Sequence, residues 1–286
     1  QYRRQLVIIW LASYPKSGNT WLRSFLASIL YTSNGEINLD GIKKLQQYPL
    51  KRQFDGLIKE KFDLNNLSKN WIKSQEIINS KKKFRFLKTH HSMCNVNGHM
   101  FTNYQNSLGV IYIVRDPRNV VTSVLNYYGL KDYNEAKKFI FHENMFLEEK
   151  EDNEHNNRIV FTLVSSWSNN YNSWKNFKKN LLLLKYEDLL SNPIREFNKV
   201  RKFIFELTKF KIDDKKFITA VEENSFQKLK NFENKHGFHG WIESEKRKKK
   251  FFNLGPKNDY KKILDKKISD EIEKKFCDEM KELNYL

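Results

Sequence analysis

Cysteine is almost absent from this 286-residue chain: Cys94 and Cys277 are the only two, and they lie far apart in sequence. Two thiols build neither a disulfide framework nor a four-ligand zinc site. They suit a reducing, cytoplasmic compartment, which is the expected localisation. No apolar run approaches the ~18 residues that cross a bilayer as a helix. The first residues lack the charged-then-apolar pattern of a signal peptide. The chain opens at Gln1 rather than Met, which leaves a preceding segment open. There is no internal repeat, and no zinc-finger, RRM or KH signature. Acidic residues are scarce: 34 Asp and Glu face 52 Lys and Arg, for a formal charge of +18. Such an excess expects an anionic partner. The basic runs at 81–83 and 246–250 are short. An anionic cofactor plus solvated lysines therefore explains the charge with fewer assumptions than a specific nucleic acid.

The Walker A pattern Gly-x-x-x-x-Gly-Lys-[Ser/Thr] is missing too. In its place stands Ser-Tyr-Pro-Lys-Ser-Gly-Asn-Thr-Trp, residues 13–21, directly after the apolar run LVIIWLA. The run predicts a buried strand over 6–12, and Pro15 and Gly18 predict a tight turn. The pattern TWLRSFLASIL then predicts a helix over 19–31. Such a junction aims backbone N–H groups and the positive end of a helix dipole at one spot. Lys16, Ser17, Asn19 and Thr20 add side-chain groups there, so the loop reads as a phosphate cradle. Taken alone, it is also compatible with a solvated turn and a helix cap.

Residues 109–128, GVIYIVRDPRNVVTSVLNYY, repeat the arrangement. A β-branched strand ends at Arg115, Asp116 and Pro117 form an N-cap and N1 pair, and a helix follows. Ser123 comes eight residues after Arg115, about two turns into that helix. Strands are expected near 6–12, 84–88, 109–114 and 181–185, and helices at 19–31, 117–128, 159–178, 193–206 and 265–284. Each strand is a continuous apolar run, as in a parallel sheet covered on both faces. The fold class expected is therefore α/β: a P-loop-like, three-layer α/β/α arrangement with a central parallel sheet. In such sheets ligands bind beyond the carboxyl ends of the strands. Lys16, His90 and Arg115 all follow strand ends.

With these motifs in this order, the chain resembles the sulfotransferases that use 3′-phosphoadenosine 5′-phosphosulfate (PAPS). YPKSGNTW resembles the 5′-phosphosulfate loop of that family, and Arg115 with Ser123 resembles its 3′-phosphate motif. FRFLKTHHS (84–92) is similar to the strand whose His is the catalytic base. The stretch 165–204, with its Tyr-Glu-Asp segment, NSFQKL (224–229) and FFNLGPKNDYKK (251–262) extend the likeness over most of the chain. The resemblance implies one domain over 1–286, with insertions at 32–82 and 129–158 forming the acceptor pocket over the active face. Residues 231–262 read as a lid.

It also implies roles. Lys16 would neutralise the leaving phosphate, while Ser17, Gly18, Asn19 and Thr20 would hold the 5′-phosphate. His90 would take the acceptor's proton, a task suited to an imidazole near neutral pH. His91, adjacent at a strand end, would point the other way. Lys88 either helps stabilise the transferring group or is a surface lysine. Arg115 and Ser123 would bind the 3′-phosphate; the competing reading for Arg115 is an ion pair with Asp116 or Glu187. Tyr186, Asn224 and Phe226 would line the adenine pocket, and Gly255, in the C-terminal motif, would be a further co-substrate-binding residue. Trp21 either stacks near the adenine or belongs to the core. The co-substrate expected is PAPS, with no metal, and the acceptor a small molecule or carbohydrate bearing a hydroxyl or amine.

One departure stands out. The Arg-Lys-Gly of the C-terminal motif is Asn253-Leu254-Gly255 here, so its 3′-phosphate Arg is missing. Lys249, Lys250 and Lys257 are the candidate substitutes. The rival readings are a P-loop nucleotide or sugar kinase and a basic, non-catalytic nucleic-acid-binding protein. The first lacks Gly-Lys-[Ser/Thr] and an evident Walker B Asp. The second leaves the convergence of strand ends unexplained.

Overall fold

The structure, a computed structural model, describes residues 7–80, 83–148, 159–237 and 251–286. Its centre is a four-stranded parallel sheet: β1 (Ile8–Ser13), β2 (Arg85–Thr89), β3 (Ser107–Val114) and β4 (Leu181–Lys185). The spatial order is β2-β1-β3-β4. Ile8 pairs with Arg85 and Ala12 with Thr89, while Trp10 lies beside Val110 and Ile113 beside Leu184.

The apolar runs are continuous because each face of the sheet has its own core. Ile8, Trp10, Ala12, Val110, Tyr112 and Val114 face a cluster containing Trp71, Trp167 and Trp174. The alternate residues Ile9, Leu11, Ile111, Ile113 and Leu184 face Leu22, Phe25, Phe197 and Ile204. Period-two alternation within an unbroken apolar run thus sorts side chains between two layers of helices.

The helices longer than one turn among the described residues are α1 (Asn19–Tyr31), α2 (Leu64–Asn79), α3 (Pro117–Tyr128), α4 (Tyr133–Phe141), α5 (Trp167–Lys175), α6 (Tyr186–Ser191), α7 (Pro193–Thr208), α8 (Asp214–Glu223), α9 (Phe226–His236), α10 (Lys266–Lys275) and α11 (Cys277–Glu282). As expected, Pro117 opens α3 and Asp116 caps it by accepting from Arg118 N–H.

Two expected helices differ. The helix expected over 159–178 is only α5; Thr162–Leu163 pair instead with Phe146–Leu147 in a short antiparallel ribbon. Ser165, at φ 63°, turns the chain, and Ser166 caps the helix by accepting from Asn169 N–H. The helix expected over 265–284 breaks at Phe276 (φ −116°, ψ 26°) into α10 and α11. Ile268, Ile272, Phe276 and Met280 nonetheless all enter the same core.

Part of the 32–82 segment extends the sheet edge. Lys88 N–H donates to Gln46 O, and Tyr48 N–H donates to Lys88 O, each at 2.8 Å. Trp71, on α2, is fully buried. Within 129–158, residues 149–158, including Glu149, Glu151 and Asp152, lie outside the described residues. No helix among the described residues is long and apolar enough to cross a membrane.

Candidate active site at the carboxyl ends of the strands

The loop after β1 is shaped by its backbone. Lys16 and Gly18 both take positive φ, 67° and 105°. A Cβ on Gly18 would meet the Tyr186 ring at 2.6 Å, so the turn needs glycine for both conformation and space. Gly18 leads into α1 without any side-chain cap, and its carbonyl takes the N–H groups of Trp21 and Leu22, so those of Asn19 and Thr20 stand at the loop. Ser17 Oγ and Asn19 Oδ1 are buried there without a partner. Asn19 Nδ2 donates to Leu11 O at 2.9 Å and Ser13 Oγ at 3.1 Å, tying the helix start to β1. Thr20 is half-buried beside it.

Lys16 Nζ sits between two aromatic rings, 3.9 Å from the Tyr127 centroid and 4.1 Å from that of Phe251. Burial first and the nearby Arg115 second lower its pKa to about 7, with Glu233 opposing both. Arg115, at the end of β3, donates from Nη1 to Lys16 O at 3.0 Å and lies with Cζ 4.2 Å over the Tyr186 ring. Its Nε is buried without a partner. The alternative ion pair of Arg115 with Asp116 is not what forms: Asp116 holds Arg118 at 2.6 Å, and Arg118 also reaches Glu273 at 2.6 Å. Glu187 accepts from Asp116 N–H and Tyr285 Oη. Ser123 is half-buried on α3.

His90 follows β2. Its Nδ1 is 2.7 Å from Ser13 O, and a carbonyl oxygen only accepts, so Nδ1 carries the hydrogen. In the neutral ring Nε2 is then left with its lone pair. Burial first, then Lys88, push the His90 pKa well below 6.5; the bond to Ser13 opposes them. His91 turns into the core: it is fully buried, stacked on Phe101 at 4.1 Å, and donates from Nδ1 to Ser92 O. Lys88 is not a surface lysine; it is 9% exposed and donates to Gln47 Oε1 at 2.5 Å.

On the other flank, Tyr186 contacts Trp21 edge-on at 5.9 Å. Trp21 is 8% exposed, packs on Phe197, and has a buried Nε1 without a partner. It is thus a core residue at the edge of the loop. Gly255 (φ 54°) lies so close to Phe226 that a Cβ would meet the ring at 2.2 Å. Asn224 is fully buried, accepts from Ser24 Oγ, and donates to Ser28 Oγ and Ala220 O. Its side-chain amide joins α1 to α8.

Near the missing Arg, Lys230 Nζ donates to Asn253 O at 3.0 Å. Lys257 is exposed; Lys249 and Lys250, with the rest of 238–250 of the expected lid, lie outside the described residues. Sequence reasoning missed Tyr127, Gln47, Glu233 and Lys230. Tyr127 alone had a signal, since it stands four residues after Ser123 on the same helix face.

Residues 8–284 match the family model of the sulfotransferase domain. The chain belongs to that family. Among curated relatives it is 25% identical over 229 residues to sulfotransferase 1B1 of Canis lupus familiaris, covering 78% of this chain and 66% of the relative. It is 25% identical over 240 residues to luciferin sulfotransferase of Photinus pyralis, covering 78% of this chain and 56% of the relative. The matches thus span less than two thirds of either relative's length. The mouse sulfotransferase SULT7A1 complexed with PAP superposes with a TM-score of 0.60 at 18% identity, covering 98% of this chain and 85% of that one. Retinol dehydratase in complex with androsterone and inactive cofactor PAP gives 0.57 at 19%, covering 98% and 83%. At these identities the two structures establish the family's α/β fold for this chain.

Proposed function

We propose that the protein transfers a sulfuryl group from PAPS to a hydroxyl or amine of a small-molecule or carbohydrate acceptor. The observation that carries this reading is the set of buried polar atoms without partners, Ser17 Oγ and Arg115 Nε, beside the uncapped start of α1. Buried polar groups in native structures are normally paired, so orphans grouped at one loop mark a ligand. A serine hydroxyl, a helix start and the Arg115 guanidinium fit a nucleotide with two phosphate groups. PAPS, when bound, supplies the activated sulfuryl group.

The chain's own residues do the rest. Ser17, Gly18, Asn19 and Thr20 hold the 5′-phosphate, and Lys16 places its ammonium at the leaving oxygen. Arg115 and Ser123 bind the 3′-phosphate, which sets this nucleotide apart from ATP. Tyr186, Phe226, Gly255 and the edge of Trp21 form the adenine side. His90 Nε2 takes the proton from the acceptor, with Nδ1–H anchored on Ser13 O to aim the ring. Burial, with the nearby charge of Lys88 second, favours the neutral form of His90. Cys94 and Cys277 are free thiols, in keeping with the cytoplasmic setting proposed.

The test is a thermal shift followed by transfer. Adenosine 3′,5′-bisphosphate raises the melting temperature without magnesium, and labelled PAPS passes its label to a member of an acceptor panel. Stabilisation by ATP with magnesium, and none by the bisphosphate, overturns the reading.

A further inference from the structure

The rings around Lys16 come from separate parts of the chain. Tyr127 stands on the last turn of α3, one turn beyond Ser123. Phe251 belongs to the segment between α9 and α10. The two rings are perpendicular, at 90°, with centroids 5.9 Å apart. The ammonium lies in the corner between them, inside the ~6 Å range of a cation–π contact.

Neither ring is placed by chance packing alone. Glu233, on α9 and 8% exposed, accepts the N–H of Phe251 at 2.6 Å and that of Phe252 at 2.9 Å. Both oxygens of one buried carboxylate thus fix the backbone that carries Phe251. Further along the segment, Asn258 Nδ2 donates to Asn119 O, Thr122 Oγ1 donates to Asn258 Oδ1, and Tyr260 N–H donates to Asn119 Oδ1. Residues 251–260 are therefore held on α9 at one end and on α3 at the other. Tyr127 is braced by Tyr128 at 4.9 Å, which stacks in turn on Phe139.

We propose that Tyr127 and Phe251 are positioning residues that clamp the Lys16 ammonium beside the phosphate loop, with Glu233 latching the backbone of Phe251. A lysine has four side-chain torsions, and ordering them is entropically costly. The clamp meets that cost before the nucleotide arrives and covers part of the half-buried lysine with apolar surface, in line with burial as the first cause of its low pKa. What the lysine does next rests on the sulfuryl-transfer reading; the clamp itself belongs to the nucleotide-free protein.

The experiment is acetic anhydride labelling of the full chain without nucleotide, resolved at Lys16 by mass spectrometry over a range of pH. Only the neutral amine reacts, so the midpoint of the rate against pH reports Lys16. The wild-type midpoint falls at about 7. Phe251→Leu and Tyr127→Leu admit water, so the midpoint rises by about one unit or more toward the ordinary lysine value and labelling quickens. Tyr127→Phe keeps the ring and the wild-type midpoint. A variant without a cooperative melt is replaced by Met at the same position. Leu variants with the wild-type midpoint and rate overturn the clamp. Turnover is read separately: kcat falls in the Leu variants and recovers in Tyr127→Phe. A wild-type protein that transfers nothing, yet shows ring-dependent labelling, refutes the sulfuryl-transfer reading and leaves the clamp standing.

Discussion

Binding of adenosine 3′,5′-bisphosphate should take up a proton at Lys16. In the free protein this lysine titrates at about 7, so it is half neutral at pH 7. A phosphate charge placed ~4 Å from the ammonium, at an effective dielectric of ~20, favours the charged form by about 4 kcal/mol. At 1.36 kcal/mol per unit that is about three units, which returns the pKa to about 10. Uptake is then about 0.5 proton per site at pH 7 and about 0.9 at pH 8.5, because the free lysine is by then almost wholly neutral and the bound one still charged. Affinity follows the same linkage: it falls about 15-fold between those two pH values. The second phosphate ionisation lies near about 6, so the ligand itself changes little in this window. The assay is titration calorimetry in buffers of different ionisation enthalpy, with Lys16→Met as the control. The variant should show flat affinity and no uptake that grows with pH. Wild-type uptake that matches the variant's, or that shrinks as pH rises, refutes the reasoning.

Other outcomes follow from the same geometry. Lys16→Ala should lower turnover on the order of 10²-fold or more while the protein stays folded; turnover within a few-fold of wild type removes the role at the leaving oxygen. His90→Ala should keep nucleotide affinity and lose transfer by ~10²- to 10⁴-fold. With its pKa held well below 6.5, His90 stays neutral in mildly acidic solution, so the rate should hold down to that pH and fall only below it; a decline that begins above 6.5 counts against His90 as the base. His91→Ala should act on stability instead, since it removes the ring stacked on Phe101, and thermal melts separate the two. Arg115→Ala should weaken adenosine 3′,5′-bisphosphate by roughly 1.5–3 kcal/mol and adenosine 5′-phosphate much less; equal losses by calorimetry overturn the 3′-phosphate assignment.

The features legible in the sequence are those whose cause is local. Gly18 announces a turn that no larger residue fits, Asp116-Pro117 announces a helix start, and each unbroken apolar run announces a strand covered on both faces. The loop after β1, His90 and Arg115 could be placed together because a parallel sheet puts every strand's carboxyl end on one edge. Ser165 was opaque, because positive φ at a non-glycine residue is set by tertiary contacts rather than by side-chain preference. The partners of Asn224 were opaque for a related reason. Its place in the chain suggests a ligand contact, but its partners Ser24 and Ser28 lie 200 and 196 residues away, on α1. The missing Arg of the C-terminal motif shows the same limit most clearly. Position 253 has become a neutral, exposed Asn, yet a positive charge still stands at its carbonyl, delivered by Lys230 from α9, 23 residues earlier. A motif records which side chain occupies a position; the field at that position is the sum over everything folded around it. Lys16 obeys this rule as well: the family resemblance names the lysine, but its charge state depends on Arg115, Glu233 and two rings that the loop itself does not contain.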